Sequence, residues 1–195
     1  MDGKIFIITG GNTGLGYETT KALVKRNAKV IMACRNLDKA TESIKSIRRY
    51  TNNGEMVALE LNLASFESIK KFANKIQNEY STFDCLINNA GLAVRDKQFT
   101  KEQFELHYGV NHLGHFLLVN LLKDQIKQNN ARIVVVSSKM HEKGIIDFEN
   151  LGKYVENVGR TNSLYNNSKL MNFYFAKELY KKGYNAHVLC PGNIY

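Results

Sequence analysis

Lys4-Ile5-Phe6-Ile7-Ile8-Thr9-Gly10-Gly11-Asn12-Thr13-Gly14-Leu15-Gly16 is the stretch on which the reading of the fold turns. From Lys4 to Thr9 the chain is apolar and β-branched, which suits a short buried strand. A glycine-rich turn follows, and helical sequence then runs to about Arg26. Glycines allow a tight turn and let backbone N–H groups come close to a ligand. The helix N-terminus behind them favours negative charge. The spacing Gly10, Gly14, Gly16 is not the common G-x-G-x-x-G, and glycine turns join many strands to helices. Its place, directly after a first strand and opening a first helix, is what points to a pyrophosphate. Gly10, Asn12, Thr13, Gly14, Leu15 and Gly16 are the candidate residues of that loop.

Outward from this point, short strand-like runs alternate with longer helical ones. Strands are expected at Lys29–Cys34, Met56–Leu61, Cys85–Ile87, Arg132–Val136 and Ala186–Cys190. Helices are expected at about Leu37–Tyr50, across Phe66, Ile69, Phe72, Ala73 and Ile76, and at about Lys101–Lys127 and Leu164–Lys182. Asn53-Gly54 marks a turn before the third strand. Residues from about Lys139 to Ser163 read as an irregular polar loop of active-site type. Nearly continuous apolar strands imply a sheet covered on both faces, and the alternation implies right-handed crossovers. The expected fold is α/β, a doubly wound parallel sheet of six strands in order 3-2-1-4-5-6, forming one dinucleotide-binding domain over 1–195.

Composition narrows the alternatives. Of 195 residues, 44% are hydrophobic and 23% charged, the balance of a globular rather than a disordered chain. No apolar run reaches the ~20 residues of a membrane-spanning helix, and the N-terminal apolar run is too short for a secretory signal. A cytoplasmic location is the expectation. With 27 basic against 18 acidic residues the net charge is +9, but the basic residues are scattered. No basic stripe runs beside stacking aromatics, so nucleic acid is not an expected partner. Cys34, Cys85 and Cys190 read as buried thiols of a reducing compartment. His112 and His115 lack a third ligand at suitable spacing and read as ordinary helix residues, so no metal site is expected.

The end of the second strand bears on the cofactor. A carboxylate there bonds the ribose 2′-hydroxyl of NAD, whereas an arginine accommodates the 2′-phosphate of NADP. The strand ends Met32-Ala33-Cys34-Arg35-Asn36, with no acid before Asp38. Arg35 therefore favours NADP(H), because guanidinium grips phosphate bidentately.

Tyr165-Asn166-Asn167-Ser168-Lys169 puts a phenol and an ammonium on one helix face. A phenol titrates near ~10 in water, and a fixed cation beside it favours the phenolate, making it able to exchange a proton with an alcohol or carbonyl oxygen. Tyr17-Glu18-Thr19-Thr20-Lys21 has the same spacing. Tyr17, however, lies directly behind the glycine turn with no hydroxyl partner upstream, and reads as structural. Tyr165 follows Ser137-Ser138 at the end of the fifth strand, at the sheet edge where ligands bind. A serine hydroxyl there can hold the substrate oxygen against the phenol. Asn88-Asn89-Ala90-Gly91 ends the fourth strand, where small residues let a cofactor lie close. Asn111 falls mid-helix, either as a hydrogen-bonding exception with a role or simply exposed; spacing leaves the two open.

Taken in order, Thr9-Gly10-x-x-x-Gly14-x-Gly16, Asn88-Asn89-Ala90-Gly91, Asn111, Ser138, Tyr165-x-x-x-Lys169 and Pro191-Gly192 resemble the short-chain dehydrogenase/reductase superfamily over essentially the whole chain. Ala33-Cys34-Arg35, the segment Gly109–Phe116 and the long stretch between Ser138 and Tyr165 resemble its retinol dehydrogenase-like members. The resemblance implies an NADP(H)-dependent oxidoreductase acting on an apolar alcohol or carbonyl, a retinoid or similar lipid. It makes Tyr165 the acid/base, with Lys169 lowering its pKa and binding the nicotinamide ribose. Ser138 orients the substrate oxygen, and Asn111 supports a proton-relay water. It adds Asn62 and Leu63, Asn89, Ala90 and Gly91, and Pro191 and Gly192 to the cofactor residues, and it implies a homodimer through the helix from Lys101 and the Tyr165 helix.

Three departures stand out. Asn62 replaces the usual aspartate at the adenine, although its amide oxygen can still accept a bond. No membrane anchor opens the chain, so a membrane-derived substrate would be reached by surface contact or diffusion. The chain ends at Tyr195, before the threonine, substrate-covering lid and seventh strand of relatives. The expectation is a truncated piece or a short form with impaired catalysis; a non-catalytic NADP(H)-binding or interaction protein is the alternative.

Overall fold

A computed structural model describes residues 1–156 and 163–192. Six strands, β1 (Ile5–Thr9), β2 (Lys29–Cys34), β3 (Glu55–Glu60), β4 (Cys85–Asn88), β5 (Arg132–Val136) and β6 (Ala186–Leu189), form one sheet in the order β3-β2-β1-β4-β5-β6. Every pairing is parallel, as the expected 3-2-1-4-5-6 order requires. The topology is Rossmann-like, with helices on both faces.

The strand pleat explains the two layers. Ile7, Ile31, Leu86 and Ile133 point to one face, where they meet Ile69, Phe72 and Ile76 of α3 (Phe66–Glu79), Leu118 of α4 (Gly114–Leu121), Ile126 of α5 (Lys123–Gln128) and Phe175 and Leu179 of α6 (Ser163–Lys181). The alternate residues Phe6, Ile8, Val30, Met32 and Cys85 point the other way. They meet Leu23 and Val24 of α1 (Gly14–Lys25) and Ala40 of α2 (Leu37–Arg48). Each large side chain so buried contributes about 1.5–3 kcal/mol relative to exposure.

Three expectations are corrected. The helix does not begin at Lys101. Gln103 takes φ +66°, Phe99 pairs with Glu105 as an isolated antiparallel bridge, and a wide π-helical segment then spans Tyr108–Leu113 before α4. The cause is the buried Glu105 carboxylate, which accepts the backbone N–H of His107 and of Tyr108 and so caps the helix one turn late. The stretch after β5 is not wholly irregular: a 3-10 turn covers Lys139–Lys143, with the Ser138 hydroxyl oxygen accepting the Met140 N–H at its start. Part of that stretch, 157–162, lies outside the described residues. Cys190 is exposed, following β6, which ends at Leu189 and is the outermost strand among the described residues. Cys34 and Cys85 are buried as expected, and burial pushes their thiols up to about 11 and about 12. No helix among the described residues is long and apolar enough to cross a membrane.

Candidate active site

Parallel strands place all their carboxyl ends on one side, and the candidate residues collect there. One cleft, of about 430 Å³, is lined by Gly10, Thr13, Gly14, Leu15, Asn89, Ala90, Gly91, Tyr165, Lys169 and Pro191, among others. A second, of about 360 Å³, is lined by Asn12, Arg35, Asn36, Lys39, Asn62 and Leu63. Gly10, Thr13, Ala90, Gly91 and Leu92 border both, so the two are halves of one crevice. A larger hollow of about 900 Å³ lies beyond Asn62, around Lys71, Lys75 and Phe99. There Glu67 sits between Lys71 and Lys101, whose hydrogen bonds hold its carboxyl down to about 2.

The glycine loop is shaped to receive a ligand. Gly10 adopts φ +65° and Gly14 φ +52°, values that favour glycine. A side chain on Gly16 would collide with the Gly10 carbonyl, so this glycine sets how closely α1 packs on the turn rather than lining the cleft. Thr9 fastens the loop to β4: its hydroxyl oxygen accepts the N–H groups of Asn89 and Ala90, both at 2.9 Å, and the Asn89 amide donates to the Thr9 carbonyl at 2.8 Å. At the other side of the crevice a Cβ on Gly91 would stand 3.3 Å from the Lys169 amine and 3.4 Å from the Asn111 amide oxygen. The crevice floor is therefore built of backbone and small residues, which fits a dinucleotide lying flat across it.

Lys169 and Tyr165 share one face of α6. The amine is 4% exposed, sits 5.6 Å from the centre of the Tyr165 ring and donates to the Val136 carbonyl at 3.2 Å. Burial lowers its pKa to about 8, so the ammonium still predominates at neutral pH. Tyr165 also meets His107 edge to face, with centroids 6.3 Å apart. Ser137 lines the crevice and donates its hydroxyl to the Lys169 carbonyl at 2.7 Å. Ser138 stands beside it, its oxygen capping the 3-10 turn and its O–H left for donation.

The alternatives for Asn111 resolve as burial with a role. It is fully buried at the π-helical segment, accepts the Leu92 N–H at 2.8 Å and donates to the Leu92 carbonyl and to the Ser168 hydroxyl, both at 3.0 Å. Asn62 lines the second cleft and accepts the Ala64 N–H at 3.0 Å, which leaves its amide oxygen a second lone pair. Gly192, at φ +79°, follows Pro191 at the rim. Tyr17 is structural: its hydroxyl bonds Ser46 at 2.9 Å, and Lys21 pairs with Glu18.

Sequence reasoning missed the polar groups behind these residues. By sequence His115 is an ordinary helix residue, yet it is buried, with Nδ1 donating to the Asn111 carbonyl at 3.1 Å and Nε2 facing the Thr9 hydroxyl at 2.9 Å. It ties the glycine loop to the π-helical segment. Glu105 was also missed. Burial alone would raise its carboxyl, but hydrogen bonds from the His107 ring and two backbone N–H groups hold it below the usual range. Lys39 joins Arg35 in lining the second cleft. Only the three-residue spacing of His112 and His115 offered a sequence signal.

His112 and His115 give a pH test. Burial lowers both to about 4, whereas an unfolded histidine titrates near ~6.5. Both folded values lie below the unfolded one, so the unfolded chain takes up protons first as acidity rises. Their contribution is whole above about pH 6.5 and is lost progressively as pH falls toward 4. Urea unfolding at pH 6.5 and 5.5 should differ by about 1–2 kcal/mol, with His115→Gln removing part of the difference.

The short chain dehydrogenase family model matches residues 4–195. Retinol dehydrogenase 13 of Homo sapiens is 42% identical over 197 residues, covering 98% of this chain and 59% of that protein. Retinol dehydrogenase 11 of Mus musculus is 40% identical, covering 100% of this chain and 63% of that protein. The chain thus spans about 60% of the length of these relatives. Among solved structures, a putative uncharacterized protein from Mycobacterium paratuberculosis superposes with a TM-score of 0.81 at 34% identity, covering 98% of this chain and 69% of that one. A metagenomic short-chain oxidoreductase in complex with NADP has the same fold, with a TM-score of 0.76 at 20% identity, covering 98% and 83%. With the crevice, the ordered motifs and these likenesses together, the chain belongs to the short chain dehydrogenase family of oxidoreductases, on its retinol dehydrogenase-like side.

Proposed function

We propose that the chain binds NADP(H) along the crevice and that the Tyr165–Lys169 pair interconverts an apolar alcohol and its carbonyl, a retinoid or similar lipid. The observation that carries this reading is a buried amine and a phenol ring 5.6 Å apart on the wall of the cleft that the glycine loop floors. Arg35 and Lys39 hold the 2′-phosphate, and Asn12, Thr13, Gly14 and Leu15 border the pyrophosphate on α1's N-terminal side. Asn62 and Leu63 face the adenine, Asn89, Ala90 and Gly91 support the middle, and Pro191 and Gly192 border the nicotinamide. When bound, the nicotinamide supplies or accepts the hydride.

The remaining work falls to the chain's own side chains. Tyr165 gives or takes the proton at the substrate oxygen, and the Lys169 ammonium stabilises negative charge on the phenol oxygen. Ser138 donates to the same substrate oxygen, and Asn111 holds Leu92 and the cleft wall in place. The NADP-bound neighbour of like fold and the retinol dehydrogenases at about 40% identity support this reading.

Titration of the purified chain with NADPH, followed by nucleotide fluorescence, should saturate at one equivalent; no change in emission would overturn the cofactor assignment. Binding without turnover of any apolar aldehyde is the competing outcome, in which the chain is a cofactor-binding or interaction protein. Two copies pair through α4 and α6, whose outer sides expose Phe116 and Tyr174. Sedimentation at micromolar concentration should give twice the 22.2 kDa chain mass.

A further inference from the structure

Asn172 lies three residues beyond Lys169 on α6 and is 2% exposed. Its amide nitrogen donates to the Asn111 carbonyl at 3.0 Å and to the Val136 carbonyl at 3.5 Å. Its oxygen accepts from His112 Nδ1 at 3.2 Å. One planar carboxamide therefore ties α6, β5 and the π-helical segment together. The Val136 carbonyl it reaches is the same one that accepts the Lys169 ammonium. The Asn111 carbonyl takes a second bond from His115 Nδ1, so both of its lone pairs are already used by protein donors.

We propose that Asn172 is a positioning residue for Lys169. Its carboxamide closes the wall behind the amine, shares the Val136 carbonyl with it, and leaves the remaining ammonium protons directed to the crevice. The titratable groups around the amine are Tyr165 on its own helix, His112 of the π-helical segment and His115 of α4, the two histidines neutral at pH 7. The adjoining ends of β4 and β5 present Asn88, Asn89, Val136 and Ser137.

The proposal rests on the oxidoreductase reading only for its cofactor arm. The test compares the whole chain with Asn172→Ala and with Asn172→Leu, which keeps the volume but removes the donor. NMR of the unmodified chain carrying isotope-labelled lysine, followed at the Lys169 side chain across pH, reports its titration midpoint. In both variants Lys169 gains sole use of the Val136 carbonyl, so the midpoint should rise from about 8 by a unit or more, and NADPH should bind about tenfold more weakly. A midpoint unmoved in folded variants, with only the melting temperature lowered, would make Asn172 a packing residue and overturn the proposal. A shifted midpoint in a chain whose wild type ignores NADPH would uphold the tie and sink the cofactor reading alone. Should neither variant fold, the wild-type Asn172 side-chain amide decides: exchange at least a hundredfold slower than that of an exposed asparagine supports the tie, and rapid exchange refutes it.

Discussion

Tyr165→Phe should lower the rate of NADPH oxidation by an apolar aldehyde by ~10²–10⁴-fold while changing NADPH affinity less than about twofold. The reasoning is local. The substitution removes the hydroxyl proposed to exchange the proton and keeps the ring, which lies edge to face with His107 and 5.6 Å from the Lys169 amine. The loss should therefore appear in kcat, as it does when an interaction made only in the transition state is removed. Tyr17→Phe is the matched control, since its hydroxyl meets Ser46 on α2, away from the crevice. A kcat unchanged by Tyr165→Phe but abolished by Tyr17→Phe would refute the choice of tyrosine.

Arg35→Ala should weaken NADPH binding ten- to a hundredfold and leave NADH binding almost unaltered, erasing the preference between them. A charge-assisted bond to phosphate contributes about 1.5–3 kcal/mol, and only NADPH carries the 2′-phosphate. Arg35 borders the second cleft directly after β2, with Lys39 four residues further on. Lys39→Ala should show a smaller loss of the same sign, as a point charge lacks the guanidinium fork. Thermal shifts with each cofactor read both effects; equal shifts from NADPH and NADH in the wild type would exclude a 2′-phosphate site.

Much of this was legible in the residues. β2 and β5 run over the expected spans Lys29–Cys34 and Arg132–Val136, because β-branched apolar runs bounded by polar turns leave little choice of register. The sheet order followed from the alternation of strands and helices and from the glycine turn. What sequence could not give was tertiary. The late start, at Leu106, depends on the buried Glu105 carboxylate capping its own helix, whereas residues 101–105 read locally as ordinary helix formers. Cys190 reads as apolar because the run before it is, but exposure at the rim is set by which strand ends the sheet. At the site, the spacing of Tyr165 and Lys169 could be read directly. Asn172 and His115 could not, since their partners Val136 and Thr9 are 36 and 106 residues away in the chain.

The wide turn over Tyr108–Leu113 has a further consequence. A π-helical segment is an α-helix carrying one surplus residue, and each residue of an α-helix advances the side-chain direction by about 100°. Deleting any single position there would let the helix relax to ordinary winding. Leu118 would stay phased to the core only if Asn111 swung about a quarter of a circumference away from Leu92 and Ser168. Gly109, whose added Cβ would collide with a Thr100 methyl, and the buried Asn111 are fixed by their surroundings, but at Val110 and Leu113 this stretch should be more sensitive to a change of length than to a change of residue type.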